Sequence, residues 1–195
     1  FFVTNLRKNS GIRIETYPKS KVLIDGKEWG ETPFYKEGME AKEYAVKLVP
    51  ENGNLPPYII NVSLSSQTLT VLTRVFNSQQ ELSSGEIITL EKSSVDAASL
   101  SVVSDPDAVI VKIDGEDKGL SPLAIKDLSA GVHEIVVSKP GYDTQTVNGN
   151  LTKGFDLHLV VKLPKSIDLG TNIGTNSAVI VASPSGAQKK QVLIL

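Results

Sequence analysis

One short stretch occurs twice and limits what this chain can fold into. Residues 22–33 read Val-Leu-Ile-Asp-Gly-Lys-Glu-Trp-Gly-Glu-Thr-Pro, and residues 111–122 read Val-Lys-Ile-Asp-Gly-Glu-Asp-Lys-Gly-Leu-Ser-Pro. Asp25 aligns with Asp114, Gly26 with Gly115, Gly30 with Gly119 and Pro33 with Pro122, all at one offset. A constant offset across unlike residue types marks an internal repeat. Each copy predicts a strand, an Asp-Gly corner that sits easily at positive φ, and a return arm. The arm ends at Gly-x-Thr/Ser-Pro, where proline has no N–H to continue a ladder. The chain therefore has to build the same hairpin twice.

The repeat extends in both directions. Ile12-Arg13-Ile14-Glu15-Thr16 precedes Pro18, and Leu100-Ser101-Val102-Val103-Ser104 precedes Pro106. The second copy holds one more residue between its proline and Val111, which predicts a bulge or longer turn at Asp107-Ala108. Downstream the first offset returns: Tyr44, Val46 and Leu48 align with His133, Ile135 and Val137. That period-two alternation predicts strands with one buried face. In the hairpin itself Leu23 aligns with Lys112, so position 23 is expected to face solvent.

Read in order, these motifs resemble the PEGA domain, a small β-sandwich module of bacterial and archaeal cell-envelope proteins related in shape to transthyretin-like folds. The resemblance rests on Ile-x-Thr-x-Pro, Val-x-Ile-Asp-Gly, Gly-x-Thr-Pro, an alternating strand and, in the second copy, Lys139-Pro140-Gly141-Tyr142. It covers roughly residues 11–163. Neither opening turn, Pro18-Lys19-Ser20-Lys21 or Pro106-Asp107-Ala108-Val109, spells the Pro-Glu-Gly-Ala of the family name. The first copy also replaces Lys-Pro-Gly-Tyr with the longer segment 50–58.

The expected fold is all-β, with two tandem small β-sandwich, transthyretin-like domains and a flexible C-terminal tail. Residues 1–10 read as a tether, 11–92 as the first sandwich, 99–163 as the second, and 164–195 as a linker and the start of a further module. Residues 68–76 are β-branched and alternate, and Gly85 opens a closing strand with Ile88 and Leu90 inward. The 92–98 linker is short, which puts the modules close without making them rigid. Val179-Ile180-Val181 reads as a stray strand, and Gln191-Val192-Leu193-Ile194-Leu195 as an apolar strand-like run.

Net charge is −2, which gives no electrostatic case for nucleic acid or an anionic membrane surface. The chain has no cysteine, so disulfides, thiolate metal sites and a cysteine nucleophile are excluded. No apolar run reaches transmembrane length.

The residues give little sign of catalysis. Asp25 and Asp114 each precede a turn glycine, where a carboxylate caps backbone N–H groups. Asp105-Pro106-Asp107 and Asp114-Gly115-Glu116-Asp117 are the nearest approach to a calcium site, against the plainer reading as solvated acidic turns. His133 and His158 fall on different strands, and no Gly-x-Ser-x-Gly elbow is present. No Gly-rich loop precedes a helix. No catalytic residue, cofactor or metal ligand is expected. Trp29, the sole tryptophan, replaces Lys118 of the other copy and with Tyr35 would make a small aromatic ligand contact if both face out. Tyr58 and Tyr142 are expected to close each sandwich from inside.

The resemblance implies a non-enzymatic, extracytoplasmic cell-envelope protein acting as a spacer or interaction scaffold, its partner an envelope protein or glycan. A lipid or other membrane tether upstream of Phe1 belongs to that reading. The alternatives are a carbohydrate-binding module for peptidoglycan or surface glycans, and the sensor region of a larger signalling or enzymatic chain.

Overall fold

A computed structural model describes residues 10–167. The expected tether before Ser10, the stray strand at 179–181 and the apolar run at 191–195 lie outside the described residues. Within them are fifteen strands, one 3-10 turn (Gln80–Leu82) and no α-helix. The first repeat supplies β1 (Ser10–Tyr17), β2 (Ser20–Ile24), β3 (Lys27–Glu31), β4 (Phe34–Met39), β5 (Glu43–Pro50), β6 (Tyr58–Ser63) and β7 (Leu69–Val75). After β8 (Ser84–Lys92) the second supplies β9 (Ala98–Asp105), β10 (Ile110–Ile113), β11 (Glu116–Leu120), β12 (Leu123–Leu128), β13 (Gly131–Ser138), β14 (Gln145–Leu151) and β15 (Phe155–Lys162).

The repeated stretch folds alike in both copies. Asp25 and Gly26 take φ 49° and 79°, and Asp114 and Gly115 take 50° and 83°, so both central residues of each corner are left-handed. The Asp carboxylate reaches past its own turn. Asp25 Oδ1 accepts the Ala45 N–H at 3.0 Å, and Asp114 Oδ1 accepts the Glu134 N–H at 2.9 Å, tying each corner to the next strand. On the return arm Val22 pairs with Gly30 and Leu23 with Glu28, leaving Trp29 as a bulge residue. Lys118 occupies the same bulge in the second copy.

The hydroxyl of Gly-x-Thr/Ser-Pro closes the hairpin from inside. Thr32 Oγ1 accepts the Ser20 N–H at 2.9 Å, and Ser121 Oγ accepts the Val109 N–H at 3.1 Å. Thr32 lies 2.6 Å from Thr16 Oγ1, which donates to the Pro18 carbonyl; Ser121 pairs with Ser104, which donates to the Pro106 carbonyl. The extra residue of the second copy is taken up where expected, with Ala108 at φ 55°. Leu23 is only partly solvated, while Lys112 is exposed as expected.

Each repeat contributes a four-stranded sheet, β3-β2-β5-β6 or β11-β10-β13-β14. The remaining strands form one continuous seven-stranded sheet, β12-β9-β15-β8-β7-β1-β4. β7 runs parallel to β1, β15 runs parallel to β9, and β8 is antiparallel to both β7 and β15. The register puts Ile12, Ile14 and Leu72 on one face, where they share a core with Val22, Ile24, Val46 and Leu48. Val71, Ile88, Leu90, Leu100 and Leu159 lie on the other face and share a core with Val111, Ile113, Ile135 and Val137. The two small sheets thus cover opposite faces of the large one. With strand order reversed, faces exchanged and strand direction kept, the repeats are related by a pseudo-twofold axis running along β8.

This arrangement corrects two readings. Residues 69–74 are buried at both parities rather than on one face, because each side of β7 meets a different core. Ile88 and Leu90 do turn inward, but into the core of the second repeat. The short junction is tied to the second repeat by backbone hydrogen bonds. Ser93 donates its N–H to the Gly154 carbonyl at 2.8 Å, and the Gly154 N–H donates to the Ala97 carbonyl at 3.0 Å.

Candidate functional site

The sequence-selected residues do not gather in one place. Trp29 stands at the β3 bulge, 40% exposed, on the edge of a small sheet. Tyr35 is 53% exposed on β4, the edge of the large sheet, and its hydroxyl donates to Glu37. The neighbouring Phe34 packs toward the first core, so alternation turns Tyr35 to the opposite face, away from the sheet that carries Trp29. Tyr58 and Tyr142 are partly buried against their respective cores, as expected.

The two histidines are also apart. His133 Nδ1 lies 2.6 Å from Asp114 Oδ2, and its Nε2 lies 2.9 Å from the Ser129 carbonyl and 3.2 Å from Ser129 Oγ. A carbonyl only accepts, so Nε2 serves there as a donor and has no lone pair for the Ser129 hydroxyl. The hydrogen bond from His133, then the Glu134 N–H, hold the Asp114 carboxyl below its ordinary value. This is a brace on the Asp-Gly corner.

His158 belongs to a polar row on the uncovered face of β9 and β15. Its Nδ1 is 2.6 Å from Ser101 Oγ, and its Nε2 is 3.4 Å from Glu91 Oε2. Ser99 donates to Asp156 in the adjacent pair. Ser99, Ser101, Asp156, His158 and the 93–97 connection line a cavity of about 310 Å³. Ser, His and Glu in sequence resemble a nucleophile relay. However, Ser101 is paired on both flanks, to Ala124 of β12 and His158 of β15, so its strand turns no pair of backbone N–H groups outward to hold an oxyanion.

The acidic turns are likewise spoken for. Asp105 pairs with Lys162, Glu116 with Lys118, and Asp117 accepts the Gly119 N–H. Among the described residues no group of three or more His, Cys, Asp or Glu side chains converges as a metal site would require.

The structure adds a groove that sequence reading missed. It lies where β6, an edge strand, overhangs the large sheet at β8 and β15, and it encloses about 290 Å³. Arg74 is 4% exposed there, its guanidinium 4.3 Å from the Tyr58 ring centre and 5.8 Å from that of Phe76. Burial lowers the Arg74 guanidinium from its ordinary value, offset by Tyr58 and Asp105. A Cβ on Gly85, the cross-strand partner of Arg74, would stand 2.4 Å from the Thr73 carbonyl and 3.2 Å from Arg74 Cδ, so only glycine lets the arginine lie across the strand. The one available signal was an arginine inside a strand with no other charged residue.

No curated protein and no solved structure matches the chain. The family model of the PEGA domain matches residues 97–167, which is the second repeat from the residue before β9 to the last described residue.

Proposed function

We propose that this chain is a non-enzymatic, extracytoplasmic scaffold of two PEGA-like sandwiches that sets a fixed distance and orientation between what it joins. The PEGA match over residues 97–167 supports an extracellular or periplasmic β-sandwich module. The repeated Asp-Gly corners and Thr/Ser-Pro closures support extending that assignment to residues 11–92. The observation that carries the spacer role is the unbroken seven-stranded sheet, which welds the modules instead of stringing them. Its outer strands are shielded by irregularities in pairing, between Lys36 and Met39 of β4 where it faces Ile12 and Ser10 of β1, and between Ile125 and Leu128 of β12, and they carry Lys36, Glu37, Lys126 and Asp127. Such bulges and charges discourage open-ended pairing of copies. The partner in this reading is an envelope protein or glycan, and a membrane tether would lie outside the described residues. The scaffold is preferred to a glycan module because Trp29 and Tyr35 point from different sheets.

The absence of cysteine makes the test direct. Spin labels on cysteines replacing the exposed Lys36 and Lys126 would sit across six strand spacings, about 30 Å at ~4.8 Å each. A single narrow distance near that value supports the rigid spacer. A broad distribution refutes it.

A further inference from the structure

The Arg74 groove has the parts of a strand-acceptor site. Register places Arg74, Gly85, Lys162 and Asp105 in one row across β7, β8, β15 and β9, on one face of the sheet. Gly85 leaves the middle of that row without a side chain. Arg74 is more than nine-tenths buried and lines the groove, and its Nε has no hydrogen-bond partner. Lys162 Nζ is held by Asp105. Arg74 and Lys162 therefore share the one carboxylate of this row, Asp105. Glu86 also borders the groove, in the adjacent row with Thr73 and Val161, whose side chains the register turns to the opposite face.

The next row on the groove face is Ile87, Val160 and Val103. Val160 and Val103 are 43% and 49% exposed, an apolar strip on an uncovered sheet. Beside it stands β6, paired to β5 on one side and, among the described residues, to no strand on the other. An open edge offers backbone N–H and C=O groups to an added strand, and alternate side chains of that strand would fall onto the floor.

We propose that the groove receives an extended peptide of a partner protein, added to β6, with apolar side chains on Val160 and Val103 and a carboxylate reaching Arg74 and Lys162. This deepens the scaffold reading by naming the partner's chemistry: a strand-forming segment with an acidic residue among β-branched ones. The two cations against one carboxylate in the Arg74 row select an acidic peptide over a basic one at that point. The occupant would turn the four-stranded sheet of the first repeat into a five-stranded one and cover the bare face of the second, locking the junction further.

The test uses the whole chain and two probe peptides, acetyl-Val-Thr-Glu-Thr-Val-amide, whose Val and Glu side chains share one face, and the same peptide with Gln for Glu, titrated while amide shifts are followed. The Glu peptide should give saturable shifts at residues 58–63 and bind about tenfold more tightly than the Gln peptide, the difference expected of one charge-assisted contact. Val160→Glu, an exposed position, should weaken the Glu peptide at least tenfold with the melting temperature unchanged, and Lys162→Gln should remove most of the Glu/Gln preference. These variants decide the matter even if Arg74→Gln fails to fold. Equal affinity for both peptides, no binding, or shifts confined away from β6 would overturn the proposal. Acetate reproducing the shifts without the peptide would make this a simple anion site and also overturn it, as would a dimer of the chain that protects β6 by itself. Each of these outcomes leaves the spin-label distance untouched, so the scaffold reading stands or falls separately.

Discussion

The second repeat should be unable to stand on the segment that its family match covers. Residues 97–167 leave out β8, and β8 pairs with β15 along its whole length, from Phe155 opposite Lys92 to Lys162 opposite Gly85. Removing it strips Ile88 and Leu90, both 0% exposed, from the core of the second repeat. Each buried aliphatic side chain is worth about 1.5–3 kcal/mol, so the loss is roughly 3–6 kcal/mol. A domain of roughly 70 residues has a total stability of about 4–11 kcal/mol at ~0.05–0.15 kcal/mol per residue. The loss is therefore roughly half of everything the fragment has. It also lays bare an apolar edge strand, which invites association. We expect a fragment of residues 97–167 to unfold at low urea or self-associate, and a fragment of residues 84–167 to melt cooperatively, as followed by circular dichroism and sedimentation. If the shorter fragment is monomeric with the same urea midpoint as the longer, β8 is not part of the second core in any energetic sense, and the account of the junction fails.

Four further outcomes follow from particular contacts. Gly85→Ala should cost at least ~1–3 kcal/mol in a urea melt, because the new Cβ meets the Thr73 carbonyl at 2.4 Å and backbone has to move. Asp25→Ala should cost about 1–2 kcal/mol by leaving the Ala45 N–H without its acceptor, with Asp25→Asn milder; an unchanged midpoint would mean water replaces the bond at no loss. Asp114 is held below the ordinary carboxyl value by the hydrogen bond from His133 and then by the Glu134 N–H, so its folded pKa is depressed. Its contribution to stability is then complete above the unfolded value and is lost as pH falls through the folded one. Asp114→Asn should flatten the acid limb of the stability curve below about pH 4 while changing little of its slope near neutrality. Trp29→Ala should shift the midpoint by less than about 1 kcal/mol, since the side chain stands on a bulge; a larger loss would show that it packs against something.

Much of this architecture was legible because local chemistry dictates it. Asp25-Gly26 and Asp114-Gly115 could be placed in corners from residue type alone, and the alternation of Tyr44, Val46 and Leu48 fixed which face is buried. β4 was not legible as a strand: Phe34-Tyr35-Lys36-Glu37-Gly38-Met39 has an edge-strand composition, and only its pairing to β1 makes it one. Arg74 was missed because its role depends on Gly85, Lys162 and Asp105, neighbours brought to one row by register and remote in sequence.

The shared strand did leave a trace. Ile87-Ile88-Thr89-Leu90 and Leu69-Thr70-Val71-Leu72 have no polar parity, and a strand without one is buried on both sides. In a sandwich standing alone, a face of β7 or β8 would meet water. Here Ile87 packs toward the first core and Ile88 toward the second, one residue apart on the same strand. A strand lying on a pseudo-twofold axis has to present the same kind of surface to both sides, because the rotation exchanges them. That requirement explains why β8 has no counterpart in the second repeat: the axis passes through one strand, and a second copy of it would have nowhere to pair. It also makes the junction dependent on both parities at once, so a polar residue at either 87 or 88 should loosen the weld from the side that it faces and leave the other core intact.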